Sequence, residues 1–532
     1  MATFTVTNTN NSGAGSLRQG ILDANALSGK DIINFGGLFN DGLAHTISLT
    51  ASGLSITDDL TIQGTNPNLL TISDNSATRL FDIASGVTAA INGLTITNSY
   101  KGTAGGGAIS NEGVLTLNNT IIAGNTVTNN IILNGQLFGG EGGGIYNSGN
   151  LTLNHSTISG NNVNTVANSN NDLSTSEGGG IYNSGNLTLN HSTISGNNVI
   201  YSIQIQISDG GGIYNSGNLT VQNSTITDNT ATSSNFQVAL GLGEGGGIYN
   251  AGKLTVQNST ITDNSADNGG GIIIEAQSVG SKLSALLENS TITDNTATYN
   301  GGAIFNSGNA ITTVNHSTIS SNLAMHDNGG AIWNGGLFTL NDSTISNNKE
   351  NGFPVNHEGG GGIYNRGTLS VSHSTISGNT ATYNGGGIAN SYNGTLSVSY
   401  STISDNTVTV FESGDYGGGG GIANNGTLSV SHSTISGNQG HFGGGIYNDG
   451  TLTVDNSIIK HNRAFGIELS SGAKESGEGG GIYNYSADYS TATLNYSTIA
   501  CNFDTPQEDS TKFIKVDNLV GNFIKKGSLV KV

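Results

Sequence analysis

Six carboxylates stand just ahead of glycine runs: Glu141, Glu177, Asp209, Glu244, Glu358 and Glu478. Three more, Asp228, Asp263 and Asp294, each occupy the fourth position of a Thr-Ile-Thr-Asp-Asn segment. Carboxylates stacked at one repeated position repel each other, and a calcium ion between them would relieve this, because oxygen ligands suit that metal. The same position holds Gly160, Gly196 and Gly378 elsewhere in the chain. A left-handed turn, which Gly, Asn and Asp tolerate, accounts for that alternation equally well. No cofactor is demanded by these residues; calcium at Asp228, Asp263 and Asp294 is the one they suggest.

Aromatic side chains recur in the same way. Tyr146, Tyr182, Tyr214, Tyr249, Phe305, Trp333 and Tyr364 share one position, continued by Tyr447 and Tyr483 and interrupted by Ala389 and Ala423. Flat rings in a file are candidates for stacking on the sugars of a glycan; alternatively they stack on one another or lie beneath loops. His155, His191, His316, His373 and His432 form another file, whose equivalent positions carry Asn223, Asn258, Asp342 and Tyr400. Tolerance of positive φ explains that mixture better than metal binding does. No catalytic residue is assigned. The arginines Arg18, Arg79, Arg366 and Arg463 are widely separated, and no aspartate pair sits at two-residue spacing on a sheet face. A catalytic pair assembled between loops of neighbouring coils stays open as an alternative.

The elements that must position these files follow from a repeat. Gly-Gly-x-Ile, a turn, Leu-Thr-Leu, a turn and Ser-Thr-Ile-x-x-Asn recur thirteen times, most clearly from Gly142 to Asn161. A fixed period marks a solenoid or an array of stacked units. From each repeat isoleucine to its Ser-Thr-Ile partner the interval is 13 in nine repeats, as from Ile145 to Ile158. Between repeats it ranges from 24 to 36. One arc is therefore constant and one corner accepts insertions, at 162–177, 198–209, 230–244 and 463–478. Alternation points Leu151, Leu153, Ile158 and Ile145 inward and Thr152 and Tyr146 outward. Asn147 and Asn161, with their copies, point inward as amide ladders that bond rung to rung. The expected fold is all-β: a single-stranded right-handed parallel β-helix with three sheets and an N-terminal helical cap.

The repeat resembles right-handed parallel β-helix proteins of the pectin-lyase-like type. It is similar, more closely, to the repeat of chlamydial polymorphic outer-membrane proteins. Gly106-Gly107-Ala108-Ile109, Gly301-Gly302-Ala303-Ile304 and Gly329-Gly330-Ala331-Ile332 match that family's Gly-Gly-Ala-aliphatic motif. Ile158-Ser159-Gly160-Asn161 matches its Phe-x-x-Asn motif with Ile in place of Phe. The resemblance implies surface adhesion after export through a C-terminal membrane barrel, for which this chain has no room. Outward Thr157/Ser159, Thr193/Ser195 and Thr225/Thr227 also resemble the Thr-x-Thr faces of ice-binding β-solenoids, although Ile458 and Lys460 break the pattern.

Bulk composition narrows the classes. A net charge of −20 in 532 residues repels phosphate backbones, so no nucleic-acid partner is expected. Single Cys501 excludes an intrachain disulfide. No stretch reaches the roughly 18 apolar residues of a membrane span. Residues 1–7 have neither the basic start nor the apolar run of a signal peptide. Ser16-Leu17-Arg18-Gln19 predicts a capped helix that plugs the first coil. Residues 511–532 carry five Lys and one acid, Asp517, and read as a closing cap or an assembly element. The expected division is 1–100 for cap and irregular coils, 101–502 for the repeats and 503–532 for the tail. The leading functional expectation is a secreted or cell-surface, adhesin-like solenoid whose partner is polysaccharide or a cell-surface glycan, leaning away from enzyme activity. Polysaccharide lyase or glycoside hydrolase is the runner-up, and ice binding or fibre formation by end-to-end self-association is the third reading.

Overall fold

The structure, a computed structural model, describes residues 1–50, 52–74, 79–101, 105–129, 132–133, 136–137, 140–165, 175–201, 207–233, 243–275, 283–352, 359–409, 418–468, 474–485, 490–504, 515–516 and 518–531. The chain forms two compact units, Met1–Asp267 and Asn268–Val532. Each is built from short parallel strands stacked in register.

In the first unit, three files follow from the repeat. Leu115, Leu151, Leu187, Leu219 and Leu254 pair in sequence in a leucine sheet. Ile158, Ile194, Ile226 and Ile261 do so in a Ser-Thr-Ile sheet. Ile145, Ile181, Ile213 and Ile248 complete an Ile-Tyr-Asn sheet. All these side chains are buried. The expectation of three sheets is corrected by a fourth. Residues after the Ser-Thr-Ile-x-x-Asn segment, taken as insertion, begin with a corner strand, and Val127, Val163, Val199, Ala231 and Ala266 pair there in a parallel file. The physical reason is the small apolar residue after the inward Asn, which continues the core for one more turn; Val127, Val163 and Val199 form an apolar cluster of their own.

The paired glycines are required by geometry. Gly142 has φ +63°, and a Cβ on Gly143 would lie 2.2 Å from the carbonyl oxygen of Gly179 in the next coil. Only glycine allows both the turn and that approach. At the start, helix α1 (Leu17–Asn25) is capped by Ser16, whose side chain accepts from the Gln19 N–H. It buries Leu17, Ile21 and Ala24 against the strands Thr3–Val6, Asp31–Phe35 and Leu54–Ile56.

The second unit repeats the plan. Ile304, Ile332, Ile363, Ile388, Ile422, Ile446 and Ile482 pair successively. The tail adds a last set of strands: Leu519 pairs with Ile482, Ile524 with Thr493 and Leu529 with Thr498.

Both amide ladders form. In the first unit the Nδ2 of Asn147 donates to Oδ1 of Asn183 at 2.6 Å, and that of Asn161 to Asn197 at 2.9 Å. In the second, Asn334 donates to Asn365 and Asn365 to Asn390, each at 2.7 Å. Asn365 also donates to the carbonyls of Gly367 and Thr395. Replacing it strands an acceptor and a donor in a dry interior, at about 1–3 kcal/mol for each group left unsatisfied. Asn365→Ala is expected to lower the urea midpoint of unfolding sharply. Asn186→Ala, on an exposed file, should shift stability by no more than about 0.5 kcal/mol. Equal effects of the two would show that the inner ladder is not what holds the coils.

Candidate functional site

Strand alternation places the aromatic file beside the inward asparagines. In the first unit, Tyr146, Tyr182, Tyr214 and Tyr249 lie ring upon ring, each pair of centroids 5.1 Å apart with planes within 3–7°. In the second, Phe305 stacks on Trp333 at 4.3 Å, and Trp333 meets Tyr364 at 6.4 Å and 31°. Tyr447 and Tyr483 stack at 5.9 Å. Tyr214, Tyr249 and Tyr364 are buried; Tyr146, Tyr182, Phe305 and Trp333 are half-buried. Of the two arrangements that the spacing allows, the rings adopt stacking on one another. Rings repeated at one rung spacing satisfy each other's faces, so between rungs no face is left for a sugar.

The acidic residues ahead of the glycines form a file of their own in the first unit. Strands Thr175–Glu177, Ile207–Asp209 and Gly243–Glu244 make a small parallel sheet that aligns Glu177 with Asp209 and Asp209 with Glu244. Glu141 bridges to Glu177. Burial, helped by the neighbouring Glu141, pushes the Glu177 carboxyl up to about 7. Burial raises Glu141 as well. The phenols of Tyr146 and Tyr182 are pushed up by burial and then by these acids. Glu177 therefore exchanges its proton near neutral pH, a property suited to a general acid or base. Glu358 lies outside the described residues.

Asp228 and Asp263 in the first unit and Asp294 in the second are exposed at φ values of 57°, 55° and 56°. Each carboxylate accepts from the hydroxyl of the preceding threonine. Among the described residues no group of three or more His, Cys, Asp or Glu side chains could hold a metal ion. These aspartates are left-handed turn residues, and the calcium set expected there lacks converging ligands. The histidine file is likewise a turn file: His155 and His191 have φ of 50° and 48° and stack at 5.0 Å.

Sequence reasoning missed five buried acids, Asp31, Asp74, Asp267, Glu350 and Asp504. In the corner file of the second unit, Glu350 follows Ala324, at a position that holds Ala297, Ala381, Val408 and Ala464 in other coils and Gly440 and Asp504 in two more. It is 2% exposed. Its carboxylate accepts from the N–H of Gly352 and from that of Thr382, the latter at 2.9 Å. Burial outweighs both bonds and raises its pKa to about 7. Aligning the residues that follow each inward Asn would have exposed it, with Asp504, as a charged member of a mostly small, apolar file.

The outward faces of the sheets are polar and in register. On the Ser-Thr-Ile sheet of the first unit, Thr157, Thr193, Thr225 and Thr260 align, half-buried. On its leucine sheet the exposed amides bond to each other, Asn186 to Asn150 at 2.6 Å and Asn218 to Asn186 at 2.7 Å. In the second unit Ile458 and Lys460 break the threonine file as expected, Ile458 pairing with Thr434.

Residues 244–414 and 354–503 match the family described as "Right handed beta helix region". The chain is a right-handed parallel β-helix repeat protein. Among solved structures it is similar to the A-module of the Azotobacter vinelandii mannuronan C-5 epimerase AlgE6, with 12% identity over 99% of each chain and a TM-score of 0.30. No curated protein matches the sequence. No helix among the described residues is long and apolar enough to cross a membrane.

Glu350 gives this β-helix a pH dependence with a definite sign. Its folded pKa, about 7, lies above the ordinary 4.5, so the folded state holds the proton that the unfolded chain releases. Its stabilising contribution is complete below about 4.5 and is lost as pH rises through about 7, on the order of 3 kcal/mol in all. Glu177 titrates in the same window, so the comparison must be with Glu350→Gln. Relative to wild type, Glu350→Gln is expected to gain stability between pH 4.5 and pH 8, read as the difference in urea midpoints. A difference that does not change with pH would contradict the assignment.

Proposed function

We propose that this chain is a non-catalytic β-solenoid, at a cell surface or outside the cell, whose outward sheet faces bind polysaccharide through many weak contacts. The observation that carries the reading is the division of side chains. The outward files of Thr, Ser and Asn are exposed or half-buried, uncharged and aligned rung upon rung. The stacked aromatics and the acids beside them are buried or half-buried. Repetition supplies avidity that no single contact has, since a second contact on the same polymer is effectively intramolecular. The rigid strands also lower the ordering cost of binding. Purified protein mixed with a panel of insoluble polysaccharides and a glycan array, with and without calcium, is expected to be retained on at least one polymer without releasing products. Retention on none of them would overturn the reading.

Acid–base cleavage of a polysaccharide is the second reading. The observation favouring it is the Glu177 carboxyl, raised to about 7 and close enough to Tyr182 to raise that phenol. It predicts release of reducing ends from an acidic polysaccharide, abolished by Glu177→Gln. Wild-type protein that releases nothing would remove it.

A further inference from the structure

The two units use the outward face of the leucine sheet differently. In the first unit amides hold the outward positions at the strand ends, on either side of a central threonine, and they bond to one another along the file: Asn186 to Asn150, Asn218 to Asn186 and Asn190 to Asn154, at 2.6–2.9 Å. Their hydrogen-bonding capacity is largely taken up by the protein. In the second unit three consecutive strands, Thr368–Ser372, Thr395–Ser399 and Thr427–Ser431, all read Thr-Leu-Ser-Val-Ser. They pair residue for residue, Ser370 with Ser397 and Ser397 with Ser429. Leucine and valine point into the core at 0–1% exposure, so each strand presents three hydroxyls outward.

Of these nine hydroxyls, one donates to a protein acceptor: Ser372 Oγ bonds to Asn341 Oδ1 at 2.6 Å. The other eight make no side-chain hydrogen bond to any described residue. A hydroxyl both donates and accepts, so each can pair with a polyol. No charged side chain stands among the outward positions of these strands, although the chain carries −20. That charge disfavours an anionic polymer approaching an otherwise neutral face. Hydroxyls repeat at about 4.8 Å between rungs and about 6.7 Å along a strand. An extended chain of pyranoses lying along the stack advances by roughly one ring per rung, so successive sugars meet equivalent hydroxyls.

We propose that this three-strand hydroxyl face binds an extended, uncharged polysaccharide chain. The proposal rests on the carbohydrate reading above and adds the location and the polymer class. The test uses the full chain, with microcrystalline cellulose and insoluble xylan as neutral probes and polygalacturonate and chitosan as charged ones. Ser397→Glu combined with Ser429→Glu places two charges at exposed positions of the face. Leu22→Glu combined with Leu43→Glu adds the same two charges at exposed positions of the first unit that lie off its sheets. Wild type is expected to be retained on a neutral polymer, with little change between low and high salt. The Ser397→Glu/Ser429→Glu variant should lose at least tenfold in retention, with an unchanged circular dichroism spectrum and melting temperature. The first-unit variant should be retained like wild type. If that second-unit variant perturbs the fold, Ser397→Ala/Ser429→Ala replaces it, with a smaller but measurable loss expected. Neutral-polymer retention that these changes leave intact, or retention on charged polymers alone, would overturn this proposal while leaving the carbohydrate reading standing. No retention on any probe would overturn both.

Discussion

The repeated coils depend on asparagine amides buried away from water, with Ile274 in one such place. Each inward Asn is both donor and acceptor, so in an interior position it can be satisfied by its own kind one rung away. Asn424 donates to Asn448 at 2.7 Å and Asn438 to Asn462 at 2.9 Å, and both files are buried. An apolar residue would drop out of the chain of bonds, and a charged one would need a partner the core does not contain. The ladders thereby fix rung spacing and register together. The arc between the two asparagines keeps one length in nine repeats and is two residues longer between Asn390 and Asn406, where both ladders still hold, whereas most added residues follow the second asparagine.

Much of this was legible because it is periodic. Inward leucines and isoleucines, the asparagine files, the left-handed turn positions and the helix begun by Ser16 each follow from alternation or from a local rule. The corner sheet was not legible. Its strands are as short as two residues, such as Ser265–Ala266, and merge into segments of variable length. The fate of the aromatic rings was equally hidden. Outward alternation for Tyr214 is read correctly from Ile213-Tyr214-Asn215, yet the ring is 2% exposed. Alternation reports the direction of a side chain; its accessibility depends on neighbouring rungs and on the segments that cross above them.

The same logic separates tyrosine from threonine as outward residues. A planar ring repeated at one rung spacing finds its best partner in its own copy, and the stack closes. A hydroxyl repeated at that spacing mostly does not bond to its copy, Ser320 to Thr293 at 3.3 Å being an exception, and so keeps bonding capacity free. An amide falls between, long enough to bond rung to rung, as Asn186 and Asn218 do. The composition of an outward file thus sets how much of its bonding capacity remains for another molecule.

That rule bears on where function resides in a β-helix of this composition. The groups with the greatest chemical reactivity, Glu177 and Glu350, lie inside, and their raised pKa values follow first from desolvation. Desolvation is a cost that a fold tolerates either for chemistry or because local bonds compensate it. For Glu350 the compensation is visible, in backbone N–H groups of Gly352 and Thr382 that join segments 32 residues apart and less. For Glu177 the neighbours are other acids and phenols, so the proton itself is the compensation. A carboxyl held neutral in this way carries no net charge to attract or orient a ligand. On the proposed reading, recognition falls to the outward surface, whose hydroxyls and amides are fixed in rows by the asparagines beneath them.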